Sequence, residues 1–176
     1  MTVISIETAE QMRAASINAL PADIAVFAAA VSDWSVTQQM RSKMKKKSAP
    51  PILELKENPD ILAEISRHAR RPDLVIGFAA ETNNLIKHAQ DKLDKKGCDW
   101  IIANHVNPSS STNPVNPVHC HHNQPETVFG SNKNQVYLID ETQTEEWPLE
   151  SKDDVASRLA EKVVNYFSDK KAKKAA

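Results

Sequence analysis

Four lysines in one short segment could bind a phosphate-rich ligand. Lys43, Lys45, Lys46 and Lys47 stand within residues 35–51, which carry no periodic apolar residues and therefore read as a loop. Positive charge held against a polyphosphate is the main requirement of phosphoryl chemistry. A run of lysines is also common on a solvated surface, so both interpretations stay open for this cluster taken alone.

A second candidate site follows an apolar run. Residues 24–31 are continuously apolar, which predicts a central strand covered on both faces, and the run stops at Ser32 and Asp33. Ala29 and Ala30 are small enough to let a ligand approach the strand end closely. Tight packing of a helix on the sheet would favour the same small residues.

Two predicted helix starts could also bind a ligand. The strand predicted over residues 74–80 is followed by Glu81, Thr82 and Asn83, and polar groups at a helix N-terminus suit anions or sugar hydroxyls. Capping of that helix by Thr82 or Asn83 is the alternative. The other start is the sequence Pro59-Asp60-Ile61-Leu62, where unpaired first-turn amides could read the edge of a base.

The two cysteines and a histidine-rich stretch are weaker candidates for a functional site. The adjacent residues His119, Cys120, His121 and His122 have no second cluster at a conventional spacing, so we do not expect a closed zinc site. Cys98 precedes a predicted strand among apolar neighbours and is interpreted as core.

Alternating strands and helices must position these candidates. The pattern predicts an α/β, Rossmann-like three-layer fold with a mainly parallel sheet, a carboxyl-terminal antiparallel pair and a final helix. The ligand crevice is expected beyond the carboxyl ends of the strands. The predicted strands cover residues 2–6, 24–31, 52–57, 74–80, 99–104, 135–140 and 145–149, and the predicted helices begin at residues 8, 58, 82 or 83, and 151. Thr8 and Gln11 form a capping-box pattern at the first helix, and the second helix is expected to run to about residue 70. Leu85, Ala89 and Leu93 share one face of the third helix, which Gly97 is expected to end.

Length and composition limit the classes of protein. A chain of 176 residues is expected to form a single domain over residues 1–176, with a flexible loop or insert at 105–127 and a disordered tail at 168–176. The net charge of −1 excludes a whole-chain field that would attract nucleic acid or an anionic membrane. Only two cysteines and no long apolar run predict a cytoplasmic location.

Four ordered motifs resemble the phosphopantothenate–cysteine ligase family, the carboxyl half of a bifunctional flavoprotein. They are AAVSDW at 29–34, KMKK at 43–46, ENPDIL at 57–62 and GFAAETNN at 77–84, followed by IIAN at 101–104. The resemblance covers residues 3–104 and weakens afterwards. That family's domain opens with a strand, a glycine-bearing turn and an asparagine-containing loop that this chain lacks, so we expect an amino-terminally incomplete domain.

The resemblance implies CTP-dependent ligation of 4′-phosphopantothenate to cysteine through an acyl-cytidylate, in coenzyme A biosynthesis. It implies CTP as co-substrate, Mg²⁺ on the CTP phosphates, no flavin on this chain, a homodimer through residues 135–149, and a fused or separate decarboxylase domain. The implied site residues are Lys43 in catalysis and nucleotide binding; Ala29, Ala30, Asp33, Pro59, Asp60, Ile61, Leu62 and Phe78 around the nucleotide, with Asp33 on metal or ribose; and Glu81, Thr82, Asn83 and Asn104 as substrate-side or structural groups.

Two other classes remain possible on the sequence. One is a non-catalytic nucleotide-binding or oligomerisation module derived from this fold. The other is a fragment that needs a partner chain, in which case the chain alone would bind nucleotide weakly and form no amide. The preserved KMKK and GFAAETNN motifs favour the enzyme, whereas the lacking loop favours the alternatives.

Overall fold

A computed structural model describes residues 1–38, 52–81, 83–105 and 133–175. The chain divides into two compact units. The first contains Met1–Gly77 with Lys95–Cys98, and the second contains Phe78–Asp94 with Asp99–Ala176. That residues 1–176 act as a single domain stays a prediction.

The first unit begins with a capped helix. Thr8 accepts a hydrogen bond from the Gln11 backbone, and the Gln11 side chain accepts one in return from the Thr8 backbone, so the predicted capping box is confirmed. The remaining elements wholly within this unit are short, namely three strands of three or four residues and a helix of six residues. In order the elements are α1 (Ala9–Asn18), β1 (Ile24–Phe27), β2 (Trp34–Val36), β3 (Leu55–Glu57) and α2 (Ile61–Ser66).

The main sheet has five strands, four of which follow α2 along the chain. Its order is β1-β4-β5-β7-β8, with β1 parallel to β4 and with β7 antiparallel to both β5 and β8. Two smaller antiparallel sheets pair β2 with β3 and β6 with β9. The elements are β4 (Leu74–Glu81), α3 (Leu85–Lys96), β5 (Trp100–His105), β6 (Lys133–Asn134), β7 (Val136–Ile139), β8 (Thr144–Glu146), β9 (Glu150–Ser151) and α4 (Lys152–Ala175).

Helix α3 and the strands β7 and β8 confirm the predicted helix stripe and antiparallel pair. Leu85, Ala89 and Leu93 are all buried on one face of α3, as their spacing predicts. Gly97 follows the last turn of that helix with φ +68°, the left-handed conformation that glycine adopts without strain. The predicted Rossmann-like α/β fold class is therefore confirmed, and its five-stranded sheet is mixed, with parallel and antiparallel pairs.

Four sequence-based predictions of local structure are wrong. Residues 2–6 lie in no strand and are exposed, because a strand forms only beside a pairing partner. The central strand predicted over 24–31 is the short edge strand β1. Part of the predicted loop at 35–51 belongs to β2, which pairs with β3. The helix predicted to reach residue 70 ends at Ser66.

The carboxyl terminus also differs from the expectation. Helix α4 continues to Ala175, whereas we expected a disordered tail from residue 168. Alanine and lysine, which dominate this stretch, are among the strongest helix formers, so a helix already packed at Val155 can extend into solvent. Within the described part of the chain, no helix has the length and apolar character required to cross a bilayer.

Candidate functional site

An open cleft of about 700 Å³ lies in the first unit. Its walls come from the start of α1, the chain that follows β1, and the β2–β3 pair. Ala29 and Ala30, two of the predicted nucleotide-binding residues, lie in one wall, and their lack of bulk keeps that wall open. The structure thus brings them to a cavity, while their role in binding nucleotide stays a prediction.

Asn58 holds one wall of the cleft in place. Its side-chain Nδ2 donates to the Ser32 carbonyl at 2.8 Å, and its backbone N–H donates to the Asp33 carbonyl at 2.8 Å. Both bonds tie the turn before α2 to the chain after β1. Sequence reasoning did not assign this residue, although its place in the ENPDIL motif was a signal.

The described wall of the cleft carries little positive charge. Lys56 is the one cation among the described lining residues, where Glu7 and Glu10 also stand. Such a wall cannot by itself neutralise a triphosphate. The lysines at 43, 45, 46 and 47 lie outside the described residues, so the predicted role of Lys43 is untested by the geometry.

Asp60 serves as the N-cap of α2 and as an ion-pair partner. Its carboxylate accepts from the Ala63 backbone N–H at 3.2 Å and from Lys96 Nζ at 2.5 Å. Burial opposes ionisation of Asp60, but the bonds from Lys96 and Ala63 outweigh it and hold the pKa of this carboxyl below its usual range. The carboxylate therefore positions the turn, and Lys96 is a partner that sequence reasoning missed.

The helix that Asp60 caps is fixed on its other faces. Arg13 of α1 forms two hydrogen bonds with Glu64 of α2 at 2.5 Å, and the hydrogen bond from Arg13 lowers the pKa of the Glu64 carboxyl. Ile61 and Ile65 are buried with Leu20 in one apolar cluster. Of the predicted residues of this turn, Ile61 is thus buried, Leu62 is half-buried, and Pro59 precedes the cap.

Removing the Asp60 carboxylate should separate its two roles. Asp60→Ala removes the cap and the ion pair and should lower the free energy of unfolding by about 1 kcal/mol. Asp60→Asn keeps a good capping residue and should cost less. Urea unfolding at neutral pH measures both, with the exposed Asp91→Asn as control.

The pH dependence of the same variants checks the ion pair. Because the pKa of Asp60 is lower in the folded state, its contribution is present above the unfolded pKa of about 4 and is lost as the pH falls through the folded pKa. The difference between the parent chain and Asp60→Asn should shrink in that acidic range. A difference that does not change with pH would contradict an ionic contribution.

The second unit contains a separate charged cluster at the end of β4. Glu81 lies within 3.4 Å of both His88 Nδ1 and Lys92 Nζ on α3, and its side chain is 18% exposed. The Asn84 carbonyl accepts from the His88 N–H, so Asn84, at φ 48°, occupies the N-cap position instead of Thr82 or Asn83. Asparagine tolerates this conformation better than most residues.

The other predicted residues have ordinary surroundings or lie outside the described chain. Phe78 is half-buried, Asn83 is exposed, and Asn104 pairs with Val136 between β5 and β7. Asp33 is exposed and is not among the described residues that line the cleft. Thr82, residues 106–132 and the histidines at 119, 121 and 122 lie outside the described residues.

Across residues 1–38, 52–81, 83–105 and 133–175, no group of three or more histidine, cysteine or acidic side chains is placed to hold an ion. Magnesium needs fewer protein ligands, because one carboxylate plus substrate phosphates and water suffices. The exposed Asp33 fits that demand, so its assignment to metal or ribose stays a prediction.

The fold is that of a Rossmann-like α/β domain, and the cleft lies where the chain leaves β1. The model of the DNA/pantothenate metabolism flavoprotein C-terminal domain matches residues 1–167. The chain belongs to this family, which confirms the resemblance seen in its motifs.

Several relatives share this region. The chain is 32% identical over 162 residues to the coenzyme A biosynthesis bifunctional protein CoaBC of Borreliella burgdorferi, covering 90% of this chain and 36% of the relative. It is 28% identical over 171 residues to the CoaBC of Escherichia coli, covering 95% and 38%. A cysteine/cysteine sulfinic acid decarboxylase from an unknown prokaryotic organism is 29% identical over 166 residues, covering 93% and 42%. The chain thus spans well under half of these relatives.

Two solved structures share the fold. The C-terminal domain of a coenzyme A biosynthesis bifunctional protein CoaBC superposes with a TM-score of 0.66 at 24% identity, covering 96% of this chain and 67% of that one. The DNA/pantothenate metabolism flavoprotein from Streptococcus pneumoniae gives 0.65 at 16% identity, covering 94% and 71%. At these identities the likeness shows the fold alone.

Proposed function

We propose that this chain is the nucleotide-binding part of a CTP-dependent ligase that joins 4′-phosphopantothenate to cysteine in coenzyme A biosynthesis. The observation that supports it most is the cleft in the first unit, where Ala29 and Ala30 of the AAVSDW motif form a wall and Asn58 of the ENPDIL motif braces it. Ala30 and Asn58, which are 28 residues apart and belong to two different motifs, thus line one cavity. Membership of the family supports the same reading.

The proposed reaction has two steps. The carboxylate of 4′-phosphopantothenate attacks the α-phosphorus of CTP, forming an acyl-cytidylate and releasing pyrophosphate. The amine of cysteine then attacks the acyl carbon, CMP leaves with the electron pair of the broken bond, and the amine loses a proton. Both steps depend on orientation and on charge stabilisation more than on a protein nucleophile.

The protein groups would divide the nucleotide between them. Lys43 would stabilise the developing charge on the triphosphate. Asp33 would either bind Mg²⁺, together with the phosphates, or accept a hydrogen bond from a ribose hydroxyl. Mg²⁺ would neutralise phosphate charge when bound. Ala29 and Ala30 would allow the nucleotide to approach the strand end, and Phe78 would pack beside the base or ribose.

The start of α2 would read the base. Pro59 has no N–H and can offer only its carbonyl, whereas no partner for the N–H groups of Ile61 and Leu62 is described. Two donors at a fixed turn suit the acceptor atoms on the edge of cytosine. The Asp60 carboxylate would act through this turn, because the cap and Lys96 already occupy it.

Other parts of the proposal concern the rest of the protein. A homodimer through β7 and β8, a fused or separate decarboxylase domain, a cytoplasmic location and the lack of flavin on this chain all stay predictions. Glu81, Thr82, Asn83 and Asn104 are retained as substrate-side or structural residues. The Glu81 cluster with His88 and Lys92 is consistent with either role.

CTP should bind in preference to ATP, because the backbone groups at Pro59 to Leu62 would read the smaller edge of cytosine. Calorimetry with each nucleotide in the presence of Mg²⁺ measures the difference, and UTP tests the reading of the exocyclic amine. Equal or tighter binding of ATP would contradict cytidylylation even if family membership stands.

A further inference from the structure

We infer, on the basis of the proposed function, that Asn58 is a positioning residue for Asp33, the carboxylate proposed to bind Mg²⁺ or a ribose hydroxyl. Asn58 donates twice to the chain after β1. Its side-chain Nδ2 donates to the Ser32 carbonyl and its backbone N–H donates to the Asp33 carbonyl, each at 2.8 Å. The two accepting carbonyls lie on either side of the Asp33 Cα.

Holding both carbonyls fixes the backbone of Asp33. The Ser32 carbonyl belongs to the peptide plane that precedes the Asp33 Cα, and the Asp33 carbonyl belongs to the plane that follows it. Because each peptide unit is planar, fixing both planes sets the φ and ψ angles of Asp33. These two angles set the direction of its Cα–Cβ bond. The carboxylate therefore starts from a fixed direction, and only its side-chain torsions stay free.

Further contacts hold the residues around this pair. The Ser32 Oγ donates to the Trp34 carbonyl at 2.9 Å and accepts from the Trp34 N–H at 3.3 Å, so the residues before and after Asp33 are bonded to each other. Trp34 also pairs with Glu57 between β2 and β3, and Glu57 directly precedes Asn58. Asn58 therefore donates from a backbone that the β2–β3 sheet itself anchors.

Only one of the two bonds from Asn58 requires an asparagine. The backbone bond to Asp33 extends the β2–β3 ladder by one residue pair, and any residue except proline could form it. The bond to the Ser32 carbonyl needs a side-chain donor, which the asparagine amide supplies. At the other end of the same ladder, Thr37 Oγ1 donates to the Glu54 carbonyl at 2.8 Å. That bond is a matched comparison, because it also ties the ladder through a side chain.

A fixed backbone matters at this position because Asp33 is exposed. A ligand that binds an exposed side chain has to order it, and that ordering reduces affinity. Asn58 reduces the ordering that remains by setting the backbone in advance. Since Asn58 itself lines the cleft, positioning has to be separated by experiment from a direct contact between its side chain and the ligand.

Backbone order at Asp33 tests positioning without any ligand. In the parent chain of 176 residues, the ¹⁵N order parameter of Asp33 should be about 0.85, the value of rigid backbone, and in Asn58→Asp it should fall to about 0.6. Asn58→Asp keeps the size of the side chain but replaces the donor with an acceptor. Asn18→Ala, at an exposed position of α1, is the control and should leave the order at Asp33 unchanged. Unchanged order in Asn58→Asp would overturn the inference.

A double-mutant cycle tests whether Asn58 acts through Asp33. With CTP and Mg²⁺, Asn58→Ala and Asp33→Asn should each weaken binding by roughly fivefold to tenfold, and the double variant should lose no more than Asp33→Asn alone. Thr37→Val should instead combine multiplicatively with Asp33→Asn. A double variant of Asn58 and Asp33 whose loss equals the product of the single losses would overturn the inference, because Asn58 would then contact the nucleotide by itself.

The same cycle in EDTA distinguishes the two ligands of Asp33. Coupling that disappears without Mg²⁺ assigns the positioned carboxylate to the metal, and coupling that persists assigns it to a ribose hydroxyl. Circular dichroism checks that every variant is folded. If the parent chain bound no CTP, the proposed function would fail, whereas the order parameter of Asp33 would still decide whether Asn58 positions it.

Discussion

Replacing Lys43 with glutamine should weaken CTP binding far more than replacing Lys47. We expect a loss of about tenfold to a hundredfold in affinity, the effect of removing one charge-assisted hydrogen bond to phosphate. The described wall of the cleft offers Lys56 beside Glu7 and Glu10, so the triphosphate needs cations from elsewhere in the chain. The KMKK motif places Lys43 ten residues after Asp33 and is the proposed source.

Lys47→Gln is the matched control, because it removes the same charge from the same segment outside the motif. Calorimetry with CTP and Mg²⁺ compares the two variants, and circular dichroism confirms that both remain folded. In an assembled ligase, the Lys43 variant should also lose about a hundredfold or more in turnover. If both variants bound CTP alike, the cluster would be an ordinary solvated charge run.

Ile65→Ala should produce the largest loss of stability. Ile65 of α2 is 1% exposed and packs with Ile61 of the same helix and with Leu20 in one apolar cluster. Truncating a buried isoleucine removes its transfer free energy and leaves a cavity, so the free energy of unfolding should fall by about 2 to 4 kcal/mol. Because the same helix carries the Asp60 cap, CTP affinity should fall as well.

The control for this variant is Ile86→Ala on α3, where the side chain is 44% exposed. This substitution removes the same atoms from a side chain that buries less apolar surface. The free energy of unfolding should therefore change by about 0.5 kcal/mol or less. Urea unfolding of both variants gives the comparison. Similar losses of unfolding free energy in the two variants would mean that the cluster of Leu20, Ile61 and Ile65 does not stabilise the first unit, contrary to what its burial indicates.

Local signals in the sequence determined much of the fold. The Thr8 and Gln11 capping box, the apolar stripe of α3 and the stop at Gly97 each depend on residues within a few positions of one another. The antiparallel pair β7 and β8 is likewise separated by a short turn. The ordered motifs also indicated the family, because they depend only on residue types and their order along the chain.

Burial and pairing were decided by the tertiary structure. Residues 24–31 and 74–80 are both predicted as buried strands, yet β4 is buried over residues 74–77, whereas every residue of β1 is exposed or only half-buried. An apolar run shows that a strand can be covered, but not that a neighbour exists to cover it. For the same reason residues 2–6 alternate like a strand and remain unpaired, while Trp34 to Val36 pair with a strand about twenty residues away.

The site shows the same division. The sequence alone indicated that Ala29, Ala30 and the turn at Pro59 to Leu62 could serve a nucleotide. Only the structure showed that Asn58 joins these motifs and that Lys96, 36 residues from Asp60, occupies its carboxylate. Contacts between residues so far apart leave no period or spacing in the sequence, because they depend on how helices and strands pack after each has formed.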